Sequence, residues 1–181
     1  MKNNRQSATL HAVRKHVSRS VGMTCVLLAS ALAGTLAGCQ SAPVIHGLNA
    51  SQIQALEQAG FHEVDGAWEL GLDDRVLFDV DKSDVLPGAK TTIGRLGQTL
   101  TKVDIRHVRV YGYTDSTGSD DYNDKLSWRR ANSVSDVLVD AGMPRDGIVT
   151  AGKGKQDPVA DNATVEGRAQ NRRVAIVVTT P

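Results

Sequence analysis

Among the ionisable side chains of this 181-residue sequence, Asp115 and Arg130 stand in the surroundings best suited to hold a charged ligand. Asp115 lies in Gly112-Tyr-Thr-Asp-Ser-Thr-Gly-Ser119, a polar, glycine-containing loop. The loop follows the alternation of Val108, Val110 and Gly112, which predicts a half-buried strand. It precedes a helix opening near Tyr122, and loop amides ahead of a helix N-terminus attract carboxylates. Arg130 lies two turns into that helix, its Cα roughly 12 Å along the axis. Helical side chains lean towards the N-terminus, so its guanidinium can return over the loop. One negative and one positive group then face one cleft. That pair suits a zwitterion, with the ammonium on Asp115 and the carboxylate held bidentately by Arg130. Composition alone favours the plainer alternative, a structural Asp115–Arg130 salt bridge.

Other chemistry-bearing patterns fail on spacing. Gly147-Ile-Val-Thr-Ala-Gly152-Lys153 matches most of a phosphate-binding loop, but Gly154 stands where a hydroxyl must reach magnesium. An EF-hand starting at Asp79 would place Lys90 at the bidentate Glu position. The five histidines (11, 16, 46, 62, 107) share no ligand spacing, and no serine sits in a Gly-x-Ser-x-Gly elbow. The sequence therefore predicts a binding protein, with no catalysis, no metal and no cofactor.

The elements that must position the loop follow from periodicity. Val76–Val80 is read as a strand. Pro87 opens a helix carrying Ala89, Ile93, Leu96 and Leu100. A long helix after the loop carries Leu126, Val134, Val137, Leu138 and Ala141, and Gly142 and Pro144 stop it. Ile148–Thr150 is a short strand, and Val174, Ile176 and Val178 alternate in a final one. The fold class is α/β: a two-layer sandwich in the order β-α-β-α-β-β, over residues 75–181, with helices on one sheet face. Upstream, Asn49-Ala50-Ser51-Gln52 has capping-box spacing, Ile53 and Leu56 share a face, and Gly60 ends the helix. This helix is too short to stand alone.

The N-terminal part is of another kind. All five charges in Met1–Gly38 are basic, which leaves 16 basic against 20 acidic residues, a net of −4, for residues 39–181. An acidic remainder argues against nucleic acid as partner. The run Val21–Gly38 lies at the lower length limit for a membrane-spanning helix, but its small residues point instead to a secretory signal, and it ends Leu36-Ala37-Gly38-Cys39. That ending resembles a lipobox, in which the cysteine is acylated and becomes the new N-terminus. Residues 1–38 are then a signal peptide, Cys39 the lipidation site and 39–48 a tether, with 49–74 an amphipathic helix and linker. Gln40 after the cysteine implies the outer membrane by analogy with lipoprotein sorting. No thiol remains for a disulfide.

The loop and helix resemble the OmpA C-terminal-like peptidoglycan-binding family. Gly112, Thr114, Asp115, Gly118, Asn123, Leu126, Ser127, Arg130 and Ala131 match its pattern in register, as do Asn162, Gly167, Arg168, Asn171, Arg172, Arg173 and Val174. The resemblance implies that Asp115 and Arg130 grip diaminopimelate of the wall peptide, with Thr114, Gly118, Asn123 and Asp81 in the same site. Gly47–Phe61, Trp68 and Asn171–Val177 look like the YfiB-type lipoproteins. That likeness implies sequestration of a periplasmic repressor of YfiR type, releasing an inner-membrane diguanylate cyclase, with Leu56, Phe61 and Trp68 meeting the partner. The alternative is a Pal-like structural tether between outer membrane and wall. Expected partners are thus peptidoglycan, the outer membrane through the lipid, the repressor and, optionally, a second copy in a homodimer. From Cys39 to Arg75, thirty-six residue steps span roughly 120 Å if extended. The sequence therefore suggests a two-state linker that covers those three side chains when docked and offers them when extended.

Overall fold

The computed structural model describes residues 47–179; the signal segment, Cys39 and most of the tether lie outside the described residues. Helix α1 (Ala50–Gln58) opens with the expected capping box. The Asn49 side chain accepts from the Gln52 amide, and the Gln52 side chain accepts from the Asn49 amide, each at 3.0 Å. It closes at Gly60, φ +89°, where the Phe61 amide donates back to the Leu56 carbonyl at 2.9 Å. Gln52 Nε2 also donates to the Val103 carbonyl, tying α1 to the end of a later helix.

Strands β1 (His62–Val64) and β2 (Ala67–Asp73) form a hairpin around Asp65-Gly66, both with positive φ. Two residues of this type match the right-handed twist of the flanking strands. Next come the single turn α2 (Asp74–Leu77), α3 (Pro87–Lys102), β3 (Val108–Tyr113), α4 (Asp120–Asp140), β4 (Ile148–Gly152), α5 (Val165–Asn171) and β5 (Arg173–Val178). The sheet order is β1-β2-β5-β3-β4, with only the β3–β4 pair parallel.

Residues facing one way from the sheet, including Val108, Val110, Val174, Ile176 and Val178, join Ile93 and Leu100 of α3 and Val134 and Leu138 of α4 in one core. The helices therefore share a sheet face. The opposite face carries a small cluster of Tyr113, Ala175 and Val177. Gly112 sets how closely α4 approaches β3: a Cβ there would lie 2.0 Å from the Ser127 carbonyl oxygen.

Two expectations need correction. Val76–Val80 is not a strand. Asp73 caps a helical turn by accepting from the Arg75 amide at 2.9 Å, and Leu77 and Phe78 go into the core together instead of alternating. The domain does not begin at residue 75, because β2 pairs with β5 along its whole length and α1 packs on α3. Leu56, Phe61 and Trp68 are buried in the main core, as expected of the docked linker. The apparent phosphate-loop spacing falls on strand β4 and is incidental.

Candidate functional site

The loop after β3 is pinned from several sides. The Thr114 amide donates to the Gly154 carbonyl at 2.7 Å, and the Ser116 amide to the Asn162 side chain at 3.1 Å. Gly118 takes φ +84°, which turns the chain so that Ser119 can cap α4 through the Tyr122 amide. Buried Asn123 donates from its side chain to the Thr117 carbonyl at 2.7 Å. These bonds fix the carboxylate of Asp115, which is itself buried. Its Oδ1 accepts from the Thr117 amide at 2.8 Å and from the Thr117 hydroxyl; its Oδ2 accepts from Arg172 Nη1 at 2.8 Å.

Arg130 does not pair with Asp115. Its Nη1 donates to Asp74 Oδ2 at 2.7 Å and its Nε to the Lys82 carbonyl at 3.0 Å, with the guanidinium 5.1 Å from the Phe78 ring centre. Nη2 has no hydrogen-bond partner among the described residues. Arg172 stands between the two carboxylates, 2.8 Å from Asp115 and 3.6 Å from Asp74. The result is an alternating series: Arg130, Asp74, Arg172, Asp115. Burial pushes the Asp115 carboxyl up, but Thr117 and Arg172 outweigh it and hold its pKa below the ordinary range. At Asp74 burial wins over Arg130 and Arg172, and the pKa is raised.

The series forms one wall of a cleft of about 540 Å³. Asp115, Arg130, Thr114, Asn123 and Asp81 all line it, so the structure brings five of the six expected site residues together. Gly118 shapes the loop without lining the cleft. At the mouth, the Tyr122 hydroxyl donates to Asp81 Oδ1 at 3.2 Å, with Asp81 itself in the left-handed region at φ +56°. Reasoning from sequence missed Asp74, Arg172, Thr117, Phe78 and Tyr122. Asp74 follows the helix-capping Asp73, and Arg172 sits in the quoted Asn171-Arg-Arg-Val segment, but neither spacing reveals which charge each meets.

The cleft and the Gly47-Leu48 segment lie at opposite ends of the sheet. Gly47 and Leu48 sit beside Asp104, Ile105, His107 and Val178, at the start of β3 and the end of β5. Asp115 and Arg172 lie at the other ends of the same strands. Six residues of strand separate the two ends by about 20 Å. No helix among the described residues is long and apolar enough to cross a membrane.

The OmpA family model matches residues 77–172. The outer-membrane lipoprotein YfiB of Pseudomonas aeruginosa is 44% identical over 165 residues, covering 91% of this chain and 96% of that protein. Among solved structures, the cell wall anchor of the T6SS from Pseudomonas aeruginosa is similar at 28% identity and a TM-score of 0.60, over 72% of this chain and 95% of that one. The peptidoglycan-associated lipoprotein from Burkholderia pseudomallei is similar at 31% identity and a TM-score of 0.51, over 56% and 86% respectively. The chain belongs to the OmpA family.

Proposed function

We propose that this chain is an outer-membrane lipoprotein, anchored through Cys39 and facing the periplasm, that binds peptidoglycan in the cleft at Asp115 and Arg130 and catalyses no reaction. The observation that carries the reading is the alternating series along one wall of an open cleft, in which Asp74, Asp115 and Arg130 are buried and Arg172 is partly exposed. Diaminopimelate ends in one ammonium and one carboxylate on the same carbon. The carboxylate suits the uncommitted Nη2 of Arg130, and the ammonium suits Asp115, held ionised by Thr117 and Arg172. The placement of Gly47 and Leu48 at the end of the sheet opposite the cleft supports it too, since a chain leading from there to a lipid at Cys39 leaves the cleft on the far side. The nine steps from Cys39 to Leu48 reach at most about 30 Å, far less than the span counted to Arg75. The test is co-sedimentation of the full-length lipoprotein, in detergent, with purified peptidoglycan. The wild type should pellet with the wall. Asp115→Ala and Arg130→Ala, checked for folding, should remain in solution.

A finer role concerns α1 and the hairpin. The family match begins at residue 77, with 105 residues from there to the C-terminus, whereas the likeness to the YfiB lipoprotein runs over 165. It therefore takes in the segment that caps the domain. We infer that this segment sequesters a periplasmic repressor of YfiR type and so releases an inner-membrane diguanylate cyclase. Leu56 and Phe61 become available only if α1 lifts off, while Trp68 stays in the sheet. Capture of a purified YfiR-type repressor by Leu56→Pro more than by wild type would support signalling. Equal failure of both to capture it leaves a Pal-like tether.

A further inference from the structure

The domain leaves two aromatic side chains exposed among the described residues, and both lie on one row of α4. Tyr122 is 43% exposed and Trp128 52%, whereas Phe61, Trp68, Phe78 and Tyr113 are buried and Tyr111 is partly so. Positions i, i+3 and i+6 of a helix form a slanting ridge on its surface. Tyr122, Lys125 and Trp128 occupy such a ridge, and all three are exposed. Helix geometry puts the Cα atoms of Tyr122 and Trp128 about 10 Å apart, about the length of one disaccharide. The ridge starts at the cleft itself, because Tyr122 is part of the cleft lining. Beyond the cleft, Trp128 and the carbon stems of Lys125 and Arg129 line a shallow groove. Lys125 is held by Asp121, one turn back, at 2.7 Å, which keeps its stem along the ridge.

An exposed tryptophan on a polar, well-anchored helix calls for an occupant with an apolar face and a polar edge. Sugar rings have that form: axial C–H groups present an apolar face to an aromatic ring while the hydroxyls stay in water. We propose that the Tyr122–Lys125–Trp128 ridge is a second binding site of this chain, and that its ligand is the glycan strand of peptidoglycan. The proposal rests on the cleft holding the wall peptide. A peptide bound there is covalently joined to a sugar, and continuity through Tyr122 makes the ridge a path for that sugar away from the cleft. The two sites would then read the two chemical halves of one polymer.

The test uses the full-length lipoprotein in detergent and two probes: the free diaminopimelate-containing stem peptide, and the same peptide attached to its N-acetylated disaccharide. Wild type should bind the disaccharide-bearing probe about two- to ten-fold more tightly than the free peptide, the range expected for one aromatic stacking contact. Trp128→Ala should erase that difference and leave free-peptide affinity unchanged. Iodide quenching supplies a direct readout, since Trp68 is buried and Trp128 is the accessible tryptophan. The disaccharide-bearing probe should shield Trp128 from iodide, and the free peptide should not. Equal affinity for both probes in wild type, with no shielding, overturns the glycan site and leaves the peptide cleft standing. Loss of self-association in Trp128→Ala, without any change in probe binding, assigns the ridge to a second copy and also overturns it. Failure of both probes to bind overturns the cleft and the ridge together.

Discussion

Asp74 holds Arg130 by an ion pair of 2.7 Å between side chains only 7% and 5% exposed, from 56 residues away in the chain. The contact joins the turn after β2 to the middle of α4, and it aims the guanidinium of Arg130 at the cleft. Removing the carboxylate would leave a buried cation without its counter-charge, a change that costs about 3–5 kcal/mol. Asp74→Ala is therefore expected to lower the unfolding free energy by about that much, read as a lower urea midpoint at unchanged slope, with Asp74→Asn losing little because it keeps an acceptor and buries no charge. A loss below about 1 kcal/mol would show that Arg130 is positioned by Lys82 and Phe78 instead.

Gly112 is the point where β3 and α4 meet, and its lack of a side chain is steric. A Cβ there would sit 2.0 Å from the Ser127 carbonyl oxygen, so Gly112→Ala must push the strand from the helix. Overpacking of this kind costs about 1–3 kcal/mol or more. Gly71→Ala provides the comparison, since nothing lies within 4 Å of its added carbon. Thermal unfolding should show a clear drop for Gly112→Ala and little change for Gly71→Ala.

The parts of this structure that are local in sequence were legible, and the parts that depend on distant pairing were not. The capping box at Asn49, the stop at Gly60 and the apolar stripes of α3 and α4 each follow from a few neighbouring residues. Asp115 and Arg130 were found because they flank one loop. Their partners were not, because Asp74 and Arg172 reach the site from the end of β2 and the start of β5. Val76–Val80 misleads because an apolar run reads as a strand, whereas only Leu77 and Phe78 are buried and Val76 and Val80 are exposed. The hairpin falls within residues 49–74, read above as helix and linker, although Asp65-Gly66 is a strong two-residue turn signal.

Docking of α1 rests on Leu48, Leu56 and Phe61, all buried. Proline at position 56 removes a helical hydrogen bond and costs about 3 kcal/mol. Leu56→Pro should therefore lose amide protection over residues 48–61 while β2 and β5 keep theirs, because Trp68 to Asp73 remain paired with Val178 to Arg173. Hydrogen exchange read by mass spectrometry distinguishes this from global loss. Uniform loss across the sheet would mean that α1 is part of the cooperative unit and cannot act as a separable arm.

The two cleft carboxylates respond to acid in opposite directions. Asp115 has a folded-state pKa below its ordinary value, so its contribution to stability is fully present above about pH 4 and lost as pH falls through the depressed value. Asp74 has a raised one, so protonation favours the folded state there, and that gain disappears as pH rises through the raised value. The stability difference between wild type and Asp115→Asn should accordingly shrink on acidification below about pH 4. A difference that stays constant across that range would show that Asp115 is not stabilised as an anion.

Calorimetric titration with two stem peptides, one ending in diaminopimelate and one in lysine at the same position, tests the assignment of the cleft most directly. The peptides differ in one carboxylate, so the comparison isolates the group assigned to Arg130. A charge-assisted contact of this kind is worth about 1.5–3 kcal/mol, roughly ten- to a hundred-fold in affinity. Wild type should prefer the diaminopimelate peptide by that factor, and Arg130→Ala should bind both peptides equally weakly. Equal affinity of wild type for the two peptides would contradict the assignment of this cleft to the zwitterionic end of the wall peptide.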